Sequence, residues 1–227
     1  YDLTRACLLS LQKIKYPDYE IILVDNGSID QSGEMLSKEF KQIDFLKLNK
    51  NYGFTGGNNK GIIYATRKYK PGFVLLLNND TEVRPDFFFF FIKPFYQEKI
   101  VYATVPKIYY HDQKDIIWFA GGHVRKITGN VKEYGKDKKD TKQTSFQTKT
   151  GFMTGCAALI SSEAINDIGY LDDQFFAYSE DADYSLRIIK SGHSIVFVPE
   201  SIVYHKVSKS FKSILDLPHK YYLATRN

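Results

Sequence analysis

Residues 72–81 read GFVLLLNNDT: an unbroken apolar run that stops abruptly at two asparagines, an aspartate and a threonine. A short run of this kind, with no polar alternation, is the pattern of a strand buried on both faces. The same rhythm precedes it. Residues 19–24, YEIILV, form a strand closed by Asp25-Asn26-Gly27-Ser28, and a helix starts near Asp30. Phe45 to Leu48 is a further short strand, and the glycine-rich turn NYGFTGGNN at 51–59 leads into a helix to about Lys68. Strands alternating with helices of this length predict βαβ units. The expectation is an α/β fold with a mostly parallel central sheet and helices on both faces. Ligands of such sheets bind beyond the carboxyl ends of the strands, where the clusters at Asp25 and Asp80 fall.

Outward from this core the pattern varies. Leu8, Leu11 and Ile14 recur at helical spacing in a segment running from Leu3 to Ile14, which Pro17 closes, and another helix opens near Pro85. Phe87 to Phe91 are five phenylalanines in succession, enough to cover every side of a helix. They imply either extra core packing or a patch that meets a missing segment, another subunit or a membrane. From Tyr102 to Gly135 short strand-like pieces alternate with turns, a small β excursion or flap beside the core. Gly151 to Ile160 returns to an apolar strand, Ser162 to Ile168 is a short helix, and Glu180 to Lys190 is an amphipathic one. Ile195 to Val198 and Ile202 to Tyr204 are brief strands that lead to His205, and a helix-like stretch runs to Arg226 and Asn227. The chain opens without an initiator methionine on a helical pattern, so the expectation is one domain over 1–227, cut at both ends.

Composition excludes several classes. With 227 residues, 43% hydrophobic and 25% charged, the chain is an ordinary globular domain and not a disordered one. The net charge of +5 is concentrated partly in a polar loop at 136–149 and suits a protein that handles nucleotide diphosphates or rests near anionic lipid. No basic helix, zinc-finger spacing or ribonucleoprotein motif points to nucleic acid. Two cysteines, Cys7 and Cys156, read as buried reduced thiols. No stretch of 18 apolar residues spans a membrane and no signal peptide is present, which makes a cytoplasmic location the default.

Three clusters could carry chemistry. Glu180-Asp181-Ala182-Asp183 opens a helix, where carboxylates either cap the exposed amides or do catalytic work. Asn78-Asn79-Asp80 closes a buried strand, where Asp80 is either a turn residue or an oxygen ligand for a hard divalent cation. The glycines of 51–59 match neither dinucleotide nor P-loop spacing, yet they permit close approach to a ligand. Of five histidines, His205 alone ends a strand at the ligand edge; His111, His123, His193 and His219 read as surface or packing residues. The absence of HExxH and of a G-x-S-x-G elbow weighs against a zinc hydrolase and an α/β hydrolase.

In order along the chain, LVDNGSID (23–30), NYGFTGGNN (51–59), LLLNNDTEV (75–83), TGCAALISSEA (154–164), YSEDADYSLR (178–187) and VPESIVYHK (198–206) closely resemble the family 2 glycosyltransferases, most of all their rhamnosyltransferase-like branch. The resemblance covers about nine-tenths of the chain. It implies the GT-A (Rossmann-like) fold, with an N-terminal strand missing here, a nucleotide-binding half at 1–101 and an acceptor-binding and catalytic half at 102–227. By resemblance, Asp25 meets the uracil or thymine ring, and Asn26 and Ser28 shape the nucleoside pocket. Gly53, Phe54, Gly56, Gly57 and Asn58 line the nucleotide-sugar site together with Asn78 and Asn79. The family's Asp-x-Asp metal motif falls on Asn78-Asn79-Asp80, so Asp80 is the implied carboxylate on Mg²⁺ or Mn²⁺ and His205 a second ligand. Asp181 matches the catalytic base of an inverting reaction, with Glu180 and Asp183 in support, and Trp118 is either an acceptor contact or a core residue.

The implied donor is dTDP-rhamnose or a UDP-hexose. The implied acceptor is a bacterial surface polysaccharide or a lipid-linked glycan, which would hold the enzyme on the inner face of the cell membrane. Two other readings stay open: a nucleotide-sugar-binding or scaffolding domain without turnover, and a nucleotidyltransferase.

Overall fold

In the computed structural model, residues 1–125, 127–141 and 144–207 are described. The helix-like stretch read toward Asn227, and His219 within it, lie outside these residues.

The chain begins with α1 (Asp2–Leu11), followed by β1 (Ile22–Asp25), α2 (Ser32–Glu39), β2 (Asp44–Lys47), α3 (Gly53–Tyr69), β3 (Phe73–Leu77), β4 (Thr81–Val83), α4 (Phe87–Phe91) and α5 (Lys93–Gln97). The rest comprises β5 (Val101–Tyr110), β6 (Gln113–Phe119), β7 (Gly122–Val124), β8 (Val131–Glu133), β9 (Thr148–Thr150), β10 (Ala157–Ser161), α6 (Ser162–Ile168), α7 (Glu180–Lys190) and β11 (Ser194–His205). β1 and β2 form a parallel pair. The main sheet runs β3-β10-β5-β11-β4, with β6 added to β5 and β9 to β11, and β7 pairs with β8.

The α/β class and the flanking helices are as expected, but the sheet is mixed and not mostly parallel. Only β5 with β11 is parallel within it, while β3–β10, β10–β5, β4–β11, β5–β6 and β9–β11 are antiparallel. Hydrophobic periodicity reports burial and carries no strand direction, so the alternation with helices in the first half could not foretell how the second half would pair.

The excursion starts later than expected. Val101–Tyr110 is the middle strand of the sheet, buried along nearly its whole length; β6 and β9 extend that sheet, and only β7 and β8 form a pair apart from it. Pro106 inside this run argues against a central strand, because proline has no N–H for the ladder. The partner strand accommodates it. Val198 faces Pro106 and Ile202 faces Lys107, so residues 199–201 of β11 bulge where the proline cannot donate. The two brief strands expected around 195–204 are therefore one bulged strand.

The five phenylalanines divide between core and surface. Phe87, Phe88 and Phe91 are buried against the sheet, whereas Phe89 and Phe90 are exposed at 57% and 38%. The turn expected at 51–59 is another correction: α3 begins at Gly53, so the glycines form its opening turns. Both cysteines are buried and unpaired, as expected. Among the described residues no helix is long and apolar enough to cross a membrane.

Candidate active site

Three segments meet beyond one end of the main sheet. Asp80 lies in the turn after β3 and immediately precedes β4, whose Thr81 faces His205 across the antiparallel ladder with β11. This register sets His205 Nε2 3.1 Å from Asp80 Oδ1, with both side chains more than nine-tenths buried. His205 Nδ1 has no hydrogen-bond partner, and Asp80 Oδ1 has only this ion-pair contact and no well-directed hydrogen bond, a costly state for buried polar atoms unless something else satisfies them. The indole of Trp118 stands edge-on to the His205 ring, centroids 4.5 Å apart, and Lys136 lies over the indole's face. Trp118 thus packs against a candidate metal ligand.

The donor set fits a divalent cation. A carboxylate oxygen and an imidazole nitrogen, desolvated and 3.1 Å apart, could ligate one ion from neighbouring positions, and Mn²⁺ tolerates the nitrogen better than Mg²⁺. Among the described residues no group of three or more His, Cys, Asp or Glu side chains could hold a metal. The protein's share would be two ligands, leaving the other positions to water and substrate oxygens.

Asp181 stands in the first turn of α7. The Gly155 N–H donates to its Oδ2 (3.1 Å) and the Ala182 N–H to its Oδ1 (2.9 Å), which fixes the carboxyl at the first turn of α7. Gly155 leaves no room for a side chain: a Cβ there would lie 2.8 Å from the Phe54 ring and 3.7 Å from Glu180 Oε1. The next residue, Cys156, accepts from the Asn78 N–H (2.9 Å), so one short stretch before β10 links the Asp80 turn to the Asp181 carboxyl. Burial pushes the Asp181 carboxyl well above the usual carboxylate range. Burial, and then the charge of Asp181, do the same to Glu180, whose Oε2 is also without a partner.

The remaining candidates divide. Asp25 is buried, its Oδ1 accepts from the Ser28 N–H (2.8 Å), and its Oδ2 is unpartnered. Asn26 is fully engaged in holding β1 to α3: it accepts from the Tyr52 N–H (3.0 Å) and donates to Gly53 O (2.8 Å) and Asn51 Oδ1 (3.1 Å). Asn58 donates back to Phe54 O within the helix (2.8 Å), and Asn79 donates to Thr4 of α1 (2.8 Å). Asp183 pairs with Arg187 (2.8 Å), whose other nitrogens donate to Ile168 O and Tyr170 O, so it braces the segment after α6. Gly155 and Asn59 are site-shaping residues that sequence reasoning did not assign. A glycine just before a buried strand was the available signal for Gly155.

The chain and its fold have known relatives. Residues 1–169 match the family described as "Glycosyl transferase family 2". The chain belongs to that family. Among curated relatives, the poly-β-1,6-N-acetyl-D-glucosamine synthase of Staphylococcus epidermidis is 25% identical over 206 residues, covering 89% of this chain and 46% of the synthase. The corresponding synthase of Staphylococcus aureus strain MSSA476 is 26% identical over 203 residues, covering 87% and 45%. This family 2 chain therefore spans less than half the length of those relatives. Solved structures share its fold. GalNAc-T7 with UDP, GalNAc and Mn²⁺ superposes with a TM-score of 0.72 at 19% identity, covering 90% of this chain and 40% of that one. The mannosyltransferase PcManGT of Pyrobaculum calidifontis, in complex with GDP-Man and Mn²⁺, gives 0.65 at 14% identity, covering 92% and 54%.

Proposed function

We propose that this chain is the catalytic domain of an inverting glycosyltransferase that moves a sugar from a nucleoside-diphosphate sugar to a hydroxyl of a bacterial surface polysaccharide or lipid-linked glycan. The observation that carries the reading is the placement of Asp181. Its carboxyl is held by two backbone N–H groups and linked through Gly155 and Cys156 to the turn bearing Asp80. In this role Asp181 takes the proton from the acceptor hydroxyl as that oxygen attacks the anomeric carbon and the nucleoside diphosphate departs. Asp80 and His205 would hold Mg²⁺ or Mn²⁺, and a bound cation supplies charge stabilisation for the leaving diphosphate.

Residues 1–101 bind the nucleotide in this reading, with Asp25 offering an acceptor to a pyrimidine N–H and the opening turns of α3 lining the sugar-nucleotide. Residues 102–227 supply the base and the acceptor surface, including Trp118. The donor class includes dTDP-rhamnose, favoured by the motif resemblance, and UDP-hexoses; the names of the synthase relatives favour UDP-N-acetylglucosamine. Exposed Phe89, Phe90 and Tyr96 beside Lys93 and Lys99 suit peripheral contact with an anionic inner-membrane surface.

The test is a screen of the purified chain against UDP-N-acetylglucosamine, UDP-glucose, dTDP-rhamnose and GDP-mannose, with and without Mn²⁺, for binding and for release of nucleoside diphosphate. Wild type is expected to turn over one donor, and Asp181→Asn to bind that donor normally while losing transfer. Undiminished transfer by Asp181→Asn would rule out its role as base. Donor binding without turnover by wild type would favour a scaffolding domain, and release of pyrophosphate a nucleotidyltransferase.

A further inference from the structure

The segment between α6 and α7 delivers Glu180 and Asp181 to the site, and its backbone is not relaxed. Tyr178 and Ser179 both adopt positive φ, 69° and 74°, a conformation that L-residues take only when their surroundings hold them in it. Arg187 and Tyr184 of α7 hold the segment's start at Ile168–Tyr170, and α3 holds the stretch that follows. Asn59, buried in the second turn of that helix, donates through Nδ2 to Leu171 O (2.8 Å) and to Asp173 Oδ1 (2.7 Å). Its Oδ1 accepts from the Leu171 N–H (3.1 Å). Both amide hydrogens and the amide oxygen are therefore used, and the pairing reproduces the two-way hydrogen bonding that a strand neighbour would give Leu171. Further along, the Thr55 N–H donates to Phe176 O (3.4 Å). Gly53, at φ 74°, lies so close that a Cβ would stand 2.2 Å from the same oxygen. The first two turns of α3 thus grip the segment at Leu171–Asp173 and at Phe176, just ahead of the strained pair.

We propose that Asn59 is a positioning residue for glycosyl transfer: its amide locks the Leu171–Phe176 segment onto α3 and thereby sets where α7 presents Asp181 to the acceptor hydroxyl. This rests on the reading of Asp181 as base. Asn59 touches no reacting atom. The chemistry of the amide is specific. Aspartate would set a carboxylate against Leu171 O and the Asp173 carboxylate, and leucine would leave the Leu171 N–H and C=O buried without partners.

The experiment measures kcat and donor KM for Asn59→Asp, Asp173→Asn, the double variant and Asp181→Asn. The donor is whichever of the four screened nucleotide sugars wild type turns over. For a base displaced by a fraction of an ångström, Asn59→Asp should lower kcat by roughly 10- to 100-fold while donor KM stays within about threefold. Asp173→Asn alone should change kcat less than about threefold. In the double variant the new amide at 173 can donate to the aspartate at 59, and kcat should recover at least threefold over Asn59→Asp. A folded Asn59→Asp variant with wild-type kcat overturns the proposal, as does a double variant no better than the single. Should Asn59→Asp fail to fold, Asp173→Ala, which trims only the exposed end of the clamp, should lower kcat several-fold at constant KM; a wild-type kcat there overturns it equally. Asp181→Asn separates the two readings. If it is inactive while the Asn59 and Asp173 variants behave as wild type, the clamp alone is wrong; if it retains transfer, the base assignment is wrong and the clamp's purpose falls with it.

Discussion

Two adjacent carboxyls, Glu180 and Asp181, sit where burial opposes their ionisation, and the charge of Asp181 further opposes that of Glu180. The consequence for stability has a definite sign. A carboxyl whose folded-state pKa is raised holds a proton in the native protein that the unfolded chain has already released, so stability falls as pH climbs from the ordinary carboxylate range, about 4.3 for Glu, to the raised value. Above that window the penalty is complete. Glutamine at 180 cannot ionise, so Glu180→Gln is expected to be more stable than wild type at pH 8, on the order of 1 kcal/mol, and to gain little or nothing at pH 4. Urea unfolding at the two pH values checks this; a wild type equally stable relative to the variant at both would show that Glu180 is not held protonated. With Asp181 as the proposed base, the same burial should place the acid limb of the rate profile above the usual carboxylate range, because a base accepts a proton only once ionised; a pH–rate profile checks this.

At the scale of elements, the loop after β8 is fastened to the middle of the sheet by a buried ion pair. Lys107, 4% exposed on β5, pairs with Asp140 (3.0 Å), which also accepts from the Tyr109 and Thr144 hydroxyls. Removing the carboxylate strands a buried ammonium, so Asp140→Ala should cost about 3 kcal/mol, and Lys107→Met in the same background should restore most of it. Chemical denaturation of the two variants decides; an Asp140→Ala change below about 0.5 kcal/mol would mean the pair is solvated. Nothing local announced this contact, and the contrast with other elements is instructive. The boundaries of α6 and α7 were legible at Ser162–Ile168 and Glu180–Lys190, because the signals are local: Ser161 Oγ caps the Ala164 N–H, and three acidic residues open α7. β5 was read into the excursion because its local pattern reports burial and not which strands it pairs with, and its partners β10 and β11 lie roughly 50 to 90 positions later. For the site the same division holds. Asp80, Asp181 and His205 stand in recognisable motifs, whereas Asn59 acts on a partner 112 residues away, and Gly155 on one 26 away, which no spacing rule reaches.

Over the whole molecule, the residues proposed to meet the donor come from β1, α3 and the turn after β3, while the second proposed metal ligand comes from the end of β11. A ligand that spans them binds only the folded chain, so it stabilises the entire domain by RT ln(1 + [L]/Kd), about 2.7 kcal/mol at a hundredfold excess over Kd. For a domain of this size each kcal/mol raises Tm by about 2–4 °C, so UDP with Mn²⁺ should raise Tm by roughly 5–10 °C. The variants should divide that shift. Asp80→Asn is expected to retain what UDP gives alone and to lose the increment from Mn²⁺, because His205 by itself is a poor anchor for a cation otherwise ligated by diphosphate and water. Asp181→Asn should keep both, since the base meets the acceptor and not the nucleotide. Differential scanning fluorimetry across wild type and the two variants, with UDP, Mn²⁺ and both, resolves the scheme. An Mn²⁺ increment that survives Asp80→Asn would remove Asp80 from the metal. One that disappears with Asp181→Asn would move that carboxylate from the acceptor side to the donor's diphosphate, and the base would then have to be sought in its neighbour Glu180.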